Sequence, residues 1–124
     1  MADERPSDDE VVYRRILKKD LKPQNRIPNS QFKLRKGEHG VSVNRASLAT
    51  PAQVIARGDP QFEYLLAQAT VGAIRRLAAA DGSHLQLDVV PTHDDDPSHA
   101  EIRSPVPGIL PEGAPHALAK LFQI

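Results

Sequence analysis

Apolar and polar positions alternate in several short segments of the chain, a pattern typical of strands that bury one face. VVYRRIL at residues 11–17 combines this pattern with β-branched and aromatic residues and predicts the first strand. Leucine and valine alternate with polar residues at the start of segment 85–90, and HAEIRS at 99–104 predicts another short strand. These segments predict a small sheet.

Residues 32–44, FKLRKGEHGVSVN, predict a hairpin. Apolar residues alternate on both sides of Gly37 and Gly40, and glycine reaches positive φ without steric cost, so a tight turn is expected between them. The valines of the second arm face the core in this interpretation. Ser42 then lies on the polar face beside the turn histidine, His39.

The clearest helix signal begins at Thr50. Pro51 follows it and Gln53 stands three residues after it, the pattern of a capping box with proline at the first helical position. Arg57 suits the carboxyl end of the helix dipole, and Gly58 predicts a left-handed stop.

Residues 62–80 allow two interpretations. Their apolar spacing fits one long helix, but Thr70 also suits the cap of a second helix that runs to residue 80 after a strand at 62–69. Gly72 costs about 1 kcal/mol relative to alanine inside a helix, and less at the second position of a new one. Strand followed by helix is therefore favoured, and a closing helix is predicted around residues 116–122.

These elements predict an α+β fold, with a small mixed or antiparallel sheet and two to three short helices packed on it. At 124 residues the chain suffices for one domain with a modest core. Residues 1–10 carry five acids, one arginine and almost no apolar side chain. They are predicted to form a disordered acidic tail ahead of a single domain at 11–124.

Composition excludes several classes of function. The chain has no cysteine, which excludes disulfides, thiolate nucleophiles and cysteine-ligated zinc. No apolar stretch approaches the roughly 18 residues of a membrane span, so a cytoplasmic protein that does not bind membranes is expected. The net charge of zero argues against a general nucleic-acid binder.

Basic residues are nevertheless concentrated at 11–36, which hold nine lysines or arginines and one acid. One interpretation is a patch for phosphate or nucleic acid. The other, which we favour, is solvated loops and an edge strand that lysines protect from aggregation. Only Tyr13 and Phe32 are available there to stack on bases, and both have core roles.

A metal site is one candidate for chemistry. Imidazole and carboxylate are ligands of divalent metals, and one loop contains His93, Asp94, Asp95, Asp96 and His99. Their spacing matches no established metal motif, and three consecutive acids point in different directions. The sequence therefore predicts a solvated acidic loop without a metal.

A hydrolytic triad is a second candidate, with Ser42 as nucleophile, His39 or His99 as base and an acid nearby. Ser42 lacks a nucleophile elbow such as GxSxG, and serine within a strand is common, so a structural serine is the favoured interpretation.

A third candidate combines Arg14 of the first strand, Ser42 of a middle strand and Glu101 of a late strand. The segments VYRRI, NSQFKLRKGEHGVSVNRA, TVGAIRRL and VVPTHDDDPSHAEI resemble a family of short bacterial proteins without an assigned function, over most of residues 11–103. More remotely, the order of arginine, serine and glutamate strands is similar to that of ADP-ribosyltransferase domains. That likeness implies NAD as cofactor and these three residues as the catalytic set. The chain lacks the Ser-Thr-Ser run and the Glu-x-Glu or Gln-x-Glu pair of those domains.

The neutral charge, the absence of a catalytic signature and the acidic tail together favour a non-catalytic interaction or accessory module. Such a module recognises a protein partner and needs no cofactor. The alternative is a small NAD-using enzyme, similar to ADP-ribosyltransferases or a glycohydrolase.

Overall fold

The computed structural model describes residues 5–124 and contains a five-stranded sheet in which every pairing is antiparallel. In chain order the strands are β1 (Val11–Leu17), β2 (Val41–Arg45), β3 (Tyr64–Thr70), β4 (Asp88–Pro91) and β5 (His99–Arg103). Their order across the sheet is β3-β1-β2-β5-β4. The described helices are α1 (Pro51–Ala56), α2 (Val71–Arg75) and α3 (Ala114–Leu121), with three short 3-10 turns. This arrangement confirms the predicted α+β class.

The core lies on one face of the sheet. Alternate residues of β1 and β2 point towards it, and Val12, Ile16 and Val43 are almost completely buried there. Phe32 and Phe122 pack against this face with their ring centroids 5.0 Å apart. The core is therefore built mainly of branched aliphatic side chains, closed by one aromatic pair.

Helix α1 packs on β1 and β3 and begins with the predicted capping box. The Gln53 amide donates to Thr50 Oγ1 at 3.2 Å, and the Thr50 amide donates to Gln53 Oε1 at 2.9 Å. The predicted left-handed stop at Gly58 is wrong, because Gly58 is not among the residues with positive φ. A Cβ at this position would lie 2.5 Å from the Tyr64 ring, so glycine is needed there for close packing.

Residues 64–75 adopt the favoured strand-then-helix arrangement. Thr70 caps α2, since its Oγ1 accepts from the Ala73 amide at 3.3 Å. The helix ends at Arg75, five residues before the predicted end. The chain then folds back on itself, and the Leu85 amide donates to the Leu77 carbonyl at 3.1 Å.

The hairpin predicted for residues 32–44 is wrong in its first arm. Asn29–Phe32 is a 3-10 turn, and no strand is present between it and β2 in the described part of the chain. Phe32 is buried because it packs in the core from this turn. The second arm is β2, and it pairs with β1 and β5, both distant in sequence.

The strand predicted at residues 85–90 starts later than expected, because β4 spans only Asp88–Pro91. Leu85 and Leu87 are buried in the core although they belong to no strand. The alternation of these leucines therefore predicts their burial correctly, but it does not predict that they lie outside the paired strand.

The segment ahead of β1 packs on the domain, so the prediction of a disordered tail is wrong for the described residues 5–10. Pro6 is fully buried, and the amides of Val71 and Gly72 donate to the carbonyls of Glu10 and Asp8 at 2.8 and 2.9 Å. The first amides of a helix lack partners within it, and here this segment supplies them. The rest of the predicted tail, residues 1–4, lies outside the described residues.

Over residues 5–124, none of the helices combines the length and the apolar character that a bilayer span requires.

Candidate functional site

The polar face of the sheet brings β2 and β5 side chains together. Ser42 lies opposite Glu101, and Asn44 lies opposite His99. Alternate residues of a strand share a face, so these four side chains lie on the same side, away from the core. The site therefore begins with a polar row across two central strands.

Ser42, His99 and Asp94 form a continuous hydrogen-bonded chain. Ser42 Oγ lies 3.1 Å from His99 Nε2, and His99 Nδ1 lies 2.7 Å from Asp94 Oδ2. A carboxylate only accepts, so Nδ1 carries the ring proton and leaves Nε2 free to accept from the serine hydroxyl. These are the contacts of a serine, histidine and aspartate triad.

Thr92 supports this chain from the loop between β4 and β5. Its Oγ1 lies 2.9 Å from Asp94 Oδ2 and 2.8 Å from His99 Nδ1. The Thr92 amide also donates to the His99 carbonyl at 3.3 Å. Thr92 therefore fixes the carboxylate and the imidazole relative to each other.

The loop that carries Asp94 is anchored through Asp96 and Ser98. Asp96 Oδ1 accepts from the Ser98 hydroxyl at 2.7 Å and lies 3.1 Å from Nη1 of Arg57, at the end of α1. Asn44 Nδ2 donates to both, at 3.1 Å to Asp96 Oδ2 and 2.9 Å to Ser98 Oγ. The Asp96 amide in turn donates to Asp94 Oδ1 at 3.0 Å. Helix α1 and strand β2 thus hold the acid of the chain in place.

Asp94 is held in its ionised form. Desolvation opposes ionisation, but hydrogen bonds from Thr92, His99 and the Asp96 amide outweigh it and lower the pKa of Asp94. Asp96 behaves in the same way, since the bonds from Ser98 and the charge of Arg57 overcome desolvation and lower its pKa. Both carboxylates are therefore negative at neutral pH and suited to stabilise a positive imidazolium.

A cavity of about 320 Å³ adjoins the serine. It is lined by Arg14, Arg15, Leu17, Gln31, Arg35, Ser42, Asn44, Asp59, Phe62 and Tyr64. Three arginines against one aspartate give it a positive potential. The volume lies near the lower end of the range for small-molecule sites.

Arg14 does not join Ser42 and Glu101 on the polar face. Its guanidinium carbon lies 5.6 Å from the centroid of the core residue Phe32. Nε and Nη2 donate to the Gln31 carbonyl at 2.9 and 2.6 Å, and Nη1 donates to the Ser42 carbonyl at 2.7 Å. Desolvation lowers the pKa of Arg14 to about 10, so it remains charged at neutral pH. Its contact with Ser42 is to the backbone alone.

These bonds explain a gap in the sheet. The pairing of β1 with β2 covers only Val12–Arg45 and Tyr13–Asn44. After these two pairs the strands no longer pair with each other. There the Leu17 amide donates to Gln31 Oε1 at 3.3 Å, and Arg14 Nη1 donates to the Ser42 carbonyl. Arg14 therefore replaces missing ladder bonds between the two strands.

Glu101 faces Ser42 but is held by its own strand. Arg103 donates to Glu101 Oε1 through Nε at 2.8 Å and Nη2 at 2.7 Å. The set of Arg14, Ser42 and Glu101 therefore does not meet in one cavity, because Arg14 and Ser42 line the cavity whereas Glu101 only lies opposite Ser42 in the sheet. Within residues 5–124, no group of three or more histidine or acidic side chains is placed to hold a metal ion.

Two residues of the chain, Asp94 as its acid and Thr92 as its support, were not predicted from the sequence. One signal was present, because the segments around 85–90 and 99–104 were both predicted strands. Two adjacent strands with a short connection form an antiparallel hairpin, which returns the connecting loop to the start of the second strand. This geometry places Thr92 and Asp94 beside His99.

Comparison with known proteins gave no match to a protein-family model, to a curated protein or to a solved structure. The resemblance to short bacterial proteins and the remote likeness to ADP-ribosyltransferase domains stay sequence-based expectations.

Proposed function

We propose that this chain is a serine-dependent hydrolase of small esters. Ser42 is the nucleophile, His99 the general base and Asp94 the acid that orients the histidine. The observation that carries the proposal is the unbroken chain from Ser42 Oγ through both nitrogens of His99 to Asp94 Oδ2. The Asp94 carboxylate holds the ring proton of His99 on Nδ1, so the unprotonated Nε2 faces the Ser42 hydroxyl as a base.

The reaction proceeds in two halves. Ser42 Oγ attacks the ester carbonyl carbon while His99 Nε2 takes the hydroxyl proton. The tetrahedral intermediate collapses, the alcohol leaves with the proton from Nε2, and the acyl group remains on Ser42. A water molecule, deprotonated by the same nitrogen, then attacks the acyl carbon, and Ser42 recovers its proton as the acid leaves. Asp94 stabilises the imidazolium in both halves.

The cavity beside Ser42 supports this assignment, since it gives a substrate a place to bind. Arg35 lines it and forms no ion pair with a carboxylate in the described residues 5–124. A positive group near the serine favours the negative oxygen that develops in the transition state. The cavity therefore supplies electrostatic stabilisation as well as room.

The test is covalent labelling of the purified protein with a fluorophosphonate probe, followed by peptide mass spectrometry. We expect one labelled peptide containing Ser42, with labelling lost in Ser42→Ala and reduced at least a hundredfold in His99→Gln. The matched control is Ser30→Ala, which removes an exposed serine and should leave labelling unchanged. A folded wild-type protein that takes no label, or a Ser42→Ala variant that still does, contradicts the proposal.

A second candidate is the protein-interaction module that the composition favours. Its support is an exposed apolar patch, because Ile55 and Phe62 are 36% and 40% exposed and line one depression with Tyr64. Large apolar side chains grouped on a surface are common at protein interfaces.

This second candidate is tested by photo-crosslinking in cells, with benzoylphenylalanine at position 62 and, as the control, at the exposed position 36. We expect a discrete adduct from position 62 that is absent from position 36 and is lost in Ile55→Ser. No adduct from position 62, or equal adducts from both positions, counts against a partner on this patch.

A further inference from the structure

A second cavity, of about 710 Å³, lies between the loop at residues 22–29 and the end of the chain from α3 onward. It shares no lining residue with the cavity beside Ser42. Its walls include Lys22, Arg26, His116 and Lys120, and its apolar lining includes Ile27 and Phe122. A cavity of this size and mixed lining is typical of a small-molecule site.

The charged side chains that line this cavity are all basic. No aspartate or glutamate side chain is among its described lining residues. Within residues 5–124, Lys22, Arg26 and Lys120 form no ion pair with a carboxylate. The whole chain is formally neutral, so three cations without acidic partners in one concavity are a local excess.

The cations are carried by a closed loop on one wall and by a helix on the other. The Lys22 amide donates to the Arg26 carbonyl at 2.9 Å, which closes a small loop. Gln24 and Asn25 at its tip have φ values of 65° and 57°, a left-handed backbone that non-glycine residues rarely adopt. On the opposite wall, His116 and Lys120 are one helical turn apart on α3 and share a face. Strained backbone of this kind is common beside binding sites.

We propose that this cavity binds a small organic phosphate. Three cations around one concavity suit a phosphate dianion better than a single carboxylate, and the arginine offers the planar fork that matches phosphate oxygens. Ile27 and the exposed Ile124 line the cavity and accommodate the organic part of the ligand. Phe122 is only 3% exposed and offers no face for stacking bases, which favours a small molecule over a nucleic-acid strand.

The experiment measures binding of phenyl phosphate and of inorganic phosphate at constant ionic strength, by calorimetry and by amide chemical shifts. We expect saturable binding, with shifts concentrated at residues 22–27 and 116–122. Phenyl phosphate should bind more tightly than inorganic phosphate, because only it uses the apolar lining.

Variants decide whether the named cations are responsible. Arg26→Gln and Lys120→Gln should each weaken phenyl phosphate binding about tenfold, as expected for loss of one charge-assisted contact. Lys36→Gln removes an exposed cation outside the cavity and should leave the affinity unchanged. Ser42→Ala should also bind normally, because this site is independent of the serine. Absence of saturable binding, or equal weakening by Lys36→Gln, overturns the proposal.

Discussion

Arg45 at the end of β2 holds Glu10 in a two-pronged ion pair that is almost removed from solvent. Arg45 Nε donates to Glu10 Oε2 at 2.9 Å and Nη2 donates to Oε1 at 2.8 Å, with side chains 9% and 10% exposed. The Ser47 hydroxyl donates to the same carboxylate at 2.6 Å. The segment ahead of β1 is therefore bound to the sheet by a buried charge as well as by backbone hydrogen bonds.

We predict that Glu10→Gln lowers the free energy of unfolding by about 3 kcal/mol, because it removes the carboxylate that faces the largely buried Arg45 guanidinium. The bonds from Arg45 outweigh desolvation and, with those from Ser47, lower the pKa of Glu10 from its ordinary 4.5. Its contribution is therefore present above about pH 4.5 and is lost as the pH falls through the lowered folded-state value. Urea unfolding of both proteins between pH 3 and 7 measures the difference, which should shrink in acid. A difference that is constant over this range contradicts the assignment.

Gly72 is predicted to resist replacement by alanine, although alanine favours a helix by about 1 kcal/mol. A Cβ at this position would lie 2.8 Å from Asp8 Cβ and 3.0 Å from the Asp8 carbonyl oxygen. Gly72→Ala should therefore destabilise the protein by about 1 kcal/mol net, since the clash exceeds the gain in propensity. Thermal unfolding of the single variants and the double variant Asp8→Gly/Gly72→Ala checks this. Additive effects would show that the two residues do not touch.

Removal of residues 1–9 is also expected to destabilise the domain, whereas a disordered tail would be removed without effect. The Gly72 amide would lose its acceptor on Asp8, and Arg75 would lose Asp8 Oδ1 and the Pro6 carbonyl, both at 2.6 Å. A shortened chain whose urea midpoint equals that of the full chain would contradict this docking.

Thr50→Ala is predicted to lower the free energy of unfolding by about 1 kcal/mol, because it removes the acceptor for the Gln53 amide at the start of α1. Thr50→Ser keeps the hydroxyl and serves as the control. Urea denaturation of both variants distinguishes loss of the cap from loss of the methyl group. Equal destabilisation by alanine and serine would exclude a capping role.

His99 is predicted to carry its ring proton on Nδ1, because Asp94 accepts from that nitrogen. Nitrogen-15 NMR of the imidazole ring reports this tautomer directly. Asp94→Asn should move the population towards Nε2–H, since an amide is able to donate to Nδ1. Asp95→Asn, a change at an exposed neighbour, should leave the spectrum unchanged. An unaltered tautomer in Asp94→Asn would show that Asp94 does not set the protonation of His99, and would contradict its role as the acid of the triad.

Arg14→Lys is predicted to lower the free energy of unfolding by about 2 kcal/mol, because one ammonium nitrogen would replace the three guanidinium nitrogens that donate to the Gln31 and Ser42 carbonyls. Urea denaturation measures this loss. The NAD-using alternative makes a different prediction, in which Arg14→Lys weakens NAD binding and Glu101→Gln abolishes nicotinamide release. Release of nicotinamide that depends on Glu101 would restore that alternative.

Features confined to a few neighbouring residues were readable from the sequence alone. The strand at Val11–Leu17 follows from its β-branched residues, and the caps at Thr50 and Thr70 follow from polar groups that meet amides three residues away. Apolar spacing also identified buried positions, including Phe32 and Leu85. These features depend on the backbone conformation and burial of a few neighbouring residues, and the types of those residues largely determine both.

Only the tertiary structure decided which of these positions meet. Apolar spacing indicates the face of a strand but not its partner. It predicts a local hairpin for β2, which pairs instead with β1 and β5. Ser42 and His99 lie 57 positions apart in the chain and meet only through that register. Asp8 and Glu10 contact the domain through their backbone carbonyls and their charged side chains, and a pattern of apolar residues does not predict such contacts. The sequence by itself determined the elements and their buried faces, while strand pairing, a long-range property, brought the site together.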